Sequence, residues 1–410
     1  MKNLLESTVS VIMRTAPNLV LLILLTRFYE LAEVSDALYA ITVCTVIASF
    51  VDYGLNDRFN VRCTNVEVNF NSVFYEFAVF RAMNSFLVFM LLLASFPLFS
   101  NTDVYKFCIV YFPLSVIFLI QSLIMSVARF KFSFQEERKL QIIHSCINIF
   151  FMIFVQSLLS LDIEVFFVTL ILLRLGLMFW LLFKVDLLSL SNSFICHVRK
   201  QVNGLKENFL WFLSHSLAII YLNVDIIILA TMMNETDFVI YQLIIRLLLT
   251  MTFLSLGANP VVVKKLRNIH KYGGVSFAFE ILQVLIKTMW VFMLIAFLLP
   301  FIIPFIMILV FQLESNVLSL NETILLSAFF YFRVFANIYD VSYAVYDMNV
   351  AKTISMVSSI VILAGSLFIF VPTSMFDALI ILVLTSVVNL VIKHFLLYCS
   401  VLNLGRHNDL

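Results

Sequence analysis

Residues 323–347 read TILLSAFFYFRVFANIYDVSYAVYD, and this stretch decides the architecture. As an α-helix rising about 1.5 Å per residue, it is longer than the roughly 30 Å hydrocarbon core of a bilayer. Its polar members do not alternate as on a strand. Arg333, Asn337, Asp340 and Asp347 follow spacings of four, three and seven, which puts them on one stripe of a helix, flanked by Tyr339, Tyr343 and Tyr346. The reading is a membrane helix with a guanidinium close to mid-membrane.

Working outward, windows of about 20 apolar residues recur along the whole chain. They fall near 7–29, 36–55, 73–97, 104–127, 140–160 and 165–184, then 208–232, 237–262, 280–311, 323–347, 353–371 and 377–400. The ninth is too long for one straight span, and Pro300 and Pro304 are expected to break it. The 410 residues are 62% hydrophobic and only 12% charged, half the charge of an ordinary soluble domain. The expectation is an all-α polytopic membrane protein: about twelve transmembrane helices in two six-helix lobes around a central cavity. The first lobe is 1–184 and the second 208–410, joined by a cytoplasmic connection over 185–207.

With 26 basic and 25 acidic residues, the chain has no nucleic-acid footprint. Its six cysteines are scattered without metal or redox spacing, and the first apolar run lacks a cleavage site, so it reads as a span and not a signal peptide. No phosphate-binding loop, metal-binding histidine pair, nucleophile elbow or dinucleotide turn is present. The reading is therefore a transporter, not an enzyme, with no catalytic residue, cofactor or metal.

Orientation follows from the basic residues. With the N-terminus in the cytoplasm, the inside connections hold Lys2, Arg58, Arg62, Arg129, Lys131, Arg138, Lys139, Lys184, Arg199, Lys200 and Lys206. They continue with Lys264, Lys265, Arg267, Lys271, Lys352 and Arg406. The six outer connections hold none, a strong positive-inside asymmetry. All outer connections are short. A weak repeat supports the two halves: Asp36 and Tyr39 open the second window and Gly54-Leu-Asn56 ends it, while Asp237, Tyr241 and Gly257-Ala-Asn259 recur in the eighth. Transporters are often built from such repeats.

Five arginines, Arg14, Arg81, Arg174, Arg246 and Arg333, lie well inside their spans. Each would cost roughly 2.5–3.5 kcal/mol if it faced lipid, so they are expected to face protein or a wet cavity. Gln242, Arg246 and Thr250 share one face of the eighth window. A hydrated substrate cavity lined by these arginines with Gln242 and Asn337 is the functional reading; a polar interface that glues helices is the structural one. Asp52, Glu76, Asp225 and Asp340 are the acids within spans, and they are assigned to charge compensation or ion coupling. Asp225 shares a face with Ser214, and His215 lies next to that serine. His144, His215 and His394 are read as packing groups. Lys106, Lys287 and Lys393 are read as snorkelling cations without a special role.

The stretch Leu205-Lys-Glu-Asn-Phe209, then Asn223-Val-Asp225-Ile-Ile-Ile-Leu229 and Tyr241-Gln-Leu-Ile-Ile-Arg246, resembles the start of the second half in bacterial O-antigen and polysaccharide flippases. Those proteins belong to the multidrug/oligosaccharidyl-lipid/polysaccharide exporter superfamily. Leu24-Leu-Thr26-Arg27-Phe28 and Asp52-Tyr-Gly54-Leu55 are similar to that family's pattern as well, although Phe28-Tyr29-Glu30 departs from the small turn common there. The resemblance implies a multi-pass protein of the bacterial inner membrane with both termini cytoplasmic. It would move an undecaprenyl-diphosphate-linked oligosaccharide from the cytoplasmic to the periplasmic leaflet by alternating access. Its partners would be that lipid-linked glycan, membrane lipid and neighbouring polysaccharide polymerases or ligases. Arginine suits a diphosphate because its planar fork donates two hydrogen bonds at once. The alternatives are a cation-coupled drug or solute exporter of the same superfamily and an integral-membrane glycan polymerase or glycosyltransferase.

Overall fold

A computed structural model describes residues 2–52, 70–95, 97, 102–187, 209–249, 266, 275–311, 318–345 and 348–408. The described chain is helical. Its elements are α1 (Lys2–Phe28), α2 (Leu31–Asp52), α3 (Phe70–Ala94), α4 (Thr102–Lys131), α5 (Phe134–Leu159) and α6 (Ile163–Lys184). They continue with α7 (Phe209–Leu229), α8 (235–249), α9 (Val275–Leu309), α10 (Leu320–Val345), α11 (Asn349–Phe370) and α12 (Met375–Asn408). Each overlaps one of the twelve apolar windows. Among the described residues nine helices are long and apolar enough to cross a membrane, so this is a multi-pass helical membrane protein.

The chain separates into two compact units, Met1–Asn223 and Val224–Leu410, with the boundary inside α7. In the first unit α4 is the hub, packing on α2, α3, α5 and α6, while α1 lies along α5. In the second, α10 packs on α9, α11 and α12. The fourth helix of each set of six is thus central to its own unit. Phe74, Phe77, Phe80, Leu123, Ile124 and Leu181 fill the core under α3, α4 and α6. Phe150 and Leu172 in the first unit, and Trp290, Phe297, Phe301 and Val361 in the second, turn outward. That is the placement lipid requires of apolar side chains.

Local chemistry starts the helices where the sequence carries Ser followed three residues on by an acid. The Ser133 hydroxyl accepts from the Glu136 amide at the start of α5. At α10 the Glu322 amide donates to Ser319 Oγ, and the Glu322 carboxylate accepts from the Ser319 amide at 2.7 Å, a reciprocal capping box. The Asp377 amide donates to Ser374 Oγ in the same way at α12. The prolines of the ninth window behave differently from the expectation: α9 runs through Pro300 and Pro304 without interruption to Leu309. A membrane helix tolerates proline because neighbouring helices and local adjustments re-satisfy the freed carbonyls.

Long-range contacts group the connections as the alternating topology demands. The Tyr29 hydroxyl, after α1, donates to the Leu161 carbonyl before α6 at 2.9 Å; both connections are outer ones in the sequence reading. At the other ends, Asn71 donates to the Asp186 carbonyl, Tyr75 to the Leu187 carbonyl, and Lys131 to the Val185 carbonyl. All three join segments at or next to connections read as inner. The basic groups at 58, 62, 199–206 and 264–271, the Gly-x-Asn ends of the proposed repeat, Thr250 and Asp347 lie outside the described residues.

Candidate functional site

The span arginines fall into distinct environments. Arg81 is enclosed, with no exposed surface: its guanidinium is ion-paired with Asp52, and Nη1 donates to the Leu119 carbonyl at 2.9 Å. His215 on α7 places Nε2 3.3 Å from the other Asp52 oxygen. The cluster therefore ties α2, α3, α4 and α7 together inside the first unit. Arg81 departs from the expectation of a cavity-facing group because α2 brings a carboxylate to the same depth, and a buried ion pair excludes water. His215, read as a packing residue, is the second partner of that carboxylate.

Arg14 keeps 31% of its side chain exposed and lies 3.9 Å from Glu137. That acid is itself buried and bound by Arg129 through two 2.7 Å hydrogen bonds, the bidentate geometry that makes Arg–carboxylate pairs strong. Arg174 is buried on α6, its guanidinium 5.7 Å from the centre of the Phe118 ring. Glu76 is buried on α3.

In the second unit, Arg246 is part-exposed, and its Nε donates to Gln242 Oε1 at 3.3 Å. The four-residue spacing read from the sequence is realised as a hydrogen bond along α8. Arg333 is buried with its guanidinium over the Phe329 ring at 5.1 Å, and it acts electrostatically on Asp225. Asp225 is fully buried at the end of α7. Its Oδ2 accepts from the Tyr241 hydroxyl at 2.6 Å, while Oδ1 has no hydrogen-bond partner. Asn337 is half-buried on α10, one turn from Arg333.

Lys393 overturns its assignment as a snorkelling cation. It is 1% exposed, and its ammonium donates to Asp340 Oδ1 at 2.6 Å and to the Ala336 carbonyl at 3.3 Å. The Tyr343 hydroxyl donates to the Lys393 carbonyl, and Tyr339 meets His394 at 3.1 Å. The cause is the face it occupies: Lys393 lies on the side of α12 that packs on α10, where Asp340 and the Ala336 carbonyl receive its ammonium. A signal was present: Thr385, Ser386, Asn389 and Lys393 form a polar stripe at helical spacing, and all four are buried. Asp340, assigned to charge compensation or ion coupling, thus has Lys393 as its partner. Glu137 and Tyr241, which periodicity did not single out, are the other polar anchors that the structure adds.

No protein-family model and no curated protein matches the chain. Solved structures do. An inward-facing multidrug resistance MATE family transporter of the MOP superfamily superposes with a TM-score of 0.67 at 14% identity, over 96% of this chain and 94% of that one. The lipid II flippase MurJ in an inward closed conformation gives 0.68 at 13% identity, over 95% of this chain and 86% of its own. A eukaryotic MATE transporter gives 0.65 at 12% identity, over 100% and 98%. At these identities the likeness establishes the fold alone: the chain shares the helical architecture of these solved structures.

Proposed function

We propose that the protein is a flippase for a lipid-linked oligosaccharide, carrying an undecaprenyl-diphosphate-linked O-antigen or polysaccharide repeat unit from the cytoplasmic to the periplasmic leaflet of a bacterial inner membrane. The observation that carries this reading is the pair of arginines in the second unit. Arg246 donates to the Gln242 amide, and Arg333 lies over the Phe329 ring and acts on the Asp225 carboxylate. A diphosphate crossing hydrocarbon must replace its hydration with donors, and guanidinium groups supply them in pairs. Gln242 and Asn337 offer amides to the glycan. Arg81 is committed to Asp52, so its role is to brace helices. Similarity to both a lipid II flippase and multidrug transporters supports a carrier that presents its cargo to each leaflet in turn.

Surface glycan reports the reading directly. Each charged hydrogen bond is worth about 1.5–3 kcal/mol, so Arg246→Ala with Arg333→Ala should lower display roughly tenfold or more at matched protein level. Full display in the double variant overturns the assignment.

One observation favours the second reading, a cation-coupled drug exporter: Asp225 is a fully buried acid whose Oδ1 has no side-chain partner among the described residues, a position suited to taking up a proton. In that case Asp225→Asn abolishes drug efflux and leaves glycan display unchanged. As Lys393 already neutralises Asp340, Asp225 is the acid on which the two readings divide.

A further inference from the structure

Arg174 belongs to a buried cluster that the flippase reading does not use. Its guanidinium makes no hydrogen bond or ion pair among the described residues, and Nε is enclosed without an acceptor. His144 on α5 acts electrostatically with it; neither ring nitrogen of His144 has a partner, and the side chain is buried. One turn on, Asn148 is fully enclosed with both amide atoms unpartnered. On α4, Gln121 donates through Nε2 to the Arg174 carbonyl at 2.9 Å and leaves Oε1 unpartnered. Three neighbouring helices of the first unit therefore carry four buried side chains with unsatisfied polar atoms, linked by the Gln121–Arg174 hydrogen bond and the His144–Arg174 interaction.

The acids of these helices lie elsewhere. Asp103 is at the far end of α4, Glu164 is at the start of α6, and Glu136 and Glu137 open α5. Glu137 is bound by Arg129 and Glu136 by Lys139. An enclosed arginine without an acid faces a desolvation penalty of several kcal/mol, and unsatisfied buried amides add to it. Among the described residues the Tyr111 phenol, and no carboxylate, acts on Arg174 with the sign of a counter-charge, so a bound anion would supply the compensation.

We infer that the Arg174–His144–Asn148–Gln121 cluster is a binding site for a small inorganic monovalent anion of the chloride class, held inside the first unit as the counter-ion of Arg174. One guanidinium balances one negative charge, whereas a diphosphate would bring at least one more. The enclosure of Asn148 and of Arg174 Nε favours a small sphere over a glycan headgroup. The guanidinium, the Asn148 amide and a His144 N–H supply donors. A single water beside the anion would donate to Gln121 Oε1. Phe118 closes the face of the guanidinium.

The test uses the purified full-length protein in nanodiscs and does not depend on transport. Replacing sodium gluconate by sodium chloride at constant ionic strength should raise the melting temperature saturably, by about 2 °C or more once the site is filled. The chloride NMR line should broaden in the presence of protein. Arg174→Met should lose both responses; Lys106→Gln, at an exposed cation, should keep them. Should Arg174→Met fail to fold, Asn148→Leu should shift the chloride midpoint about tenfold upward, the loss of one hydrogen bond to a charged group. Absence of chloride dependence in the parent protein, or its survival in Arg174→Met or unshifted in Asn148→Leu, overturns the site. Glycan display decides the flippase reading separately.

Discussion

Asp52→Ala should be the most damaging single substitution in the first unit, costing about 3–5 kcal/mol. It leaves the Arg81 guanidinium enclosed with only the Leu119 carbonyl to accept from it. The reverse change, Arg81→Ala, should cost less, because Asp52 keeps His215, which is 27% exposed. Replacing both partners by apolar residues of similar volume, Asp52→Leu with Arg81→Met, should recover much of the loss, since it leaves no unpaired charge. Thermal unfolding followed by size-exclusion chromatography of the solubilised protein ranks the three variants. Equal losses for Asp52→Ala and Arg81→Ala would show that His215 does not share the carboxylate.

The second large effect belongs to the α10–α12 contact. Asp340→Ala leaves an ammonium that is 1% exposed with a single carbonyl acceptor and should again cost about 3–5 kcal/mol. Lys393→Met should be milder. It frees a carboxylate whose side chain is 19% exposed, and the methionine refills the space along α12. The double variant Asp340→Leu with Lys393→Met should be nearly as stable as the parent. If Lys393→Met proves as damaging as Asp340→Ala, the lysine stem contributes more by packing than by charge, as long amphipathic side chains can.

The functional consequence of the two pairs is a change in which charges are available. Intramembrane charges find partners within each unit: Asp52 with Arg81 in the first, and Asp340 with Lys393 in the second. Asp52 and Asp340 are neutralised by their own unit. Asp225 has one oxygen bound by the Tyr241 hydroxyl and feels the Arg333 charge. The proposed coupling role of Asp225 is tested with Asp340 as a stability control.

Much of the fold was legible along the chain. Twelve apolar windows became helices because a bilayer accepts only segments that satisfy their own backbone, and length and hydropathy report that locally. The Gln242–Arg246 hydrogen bond was legible for a similar reason, since neighbours four apart on one helix meet whatever surrounds them. Which helix faces meet was harder to read. Lys393 lies on the side of α12 that packs on α10, and hydropathy along one helix does not report that contact.

The amino-acid order by itself determined that this chain crosses a membrane many times, where each helix runs, and that charged groups ride within those helices at burial costs too large for lipid. Only the tertiary structure decided which of those charges cancel. Partners such as Asp52 with Arg81, or Asp340 with Lys393, lie 29 and 53 residues apart. Periodicity says which face of a helix a residue occupies, but the depth at which two helices align is set by side-chain packing among several of them at once.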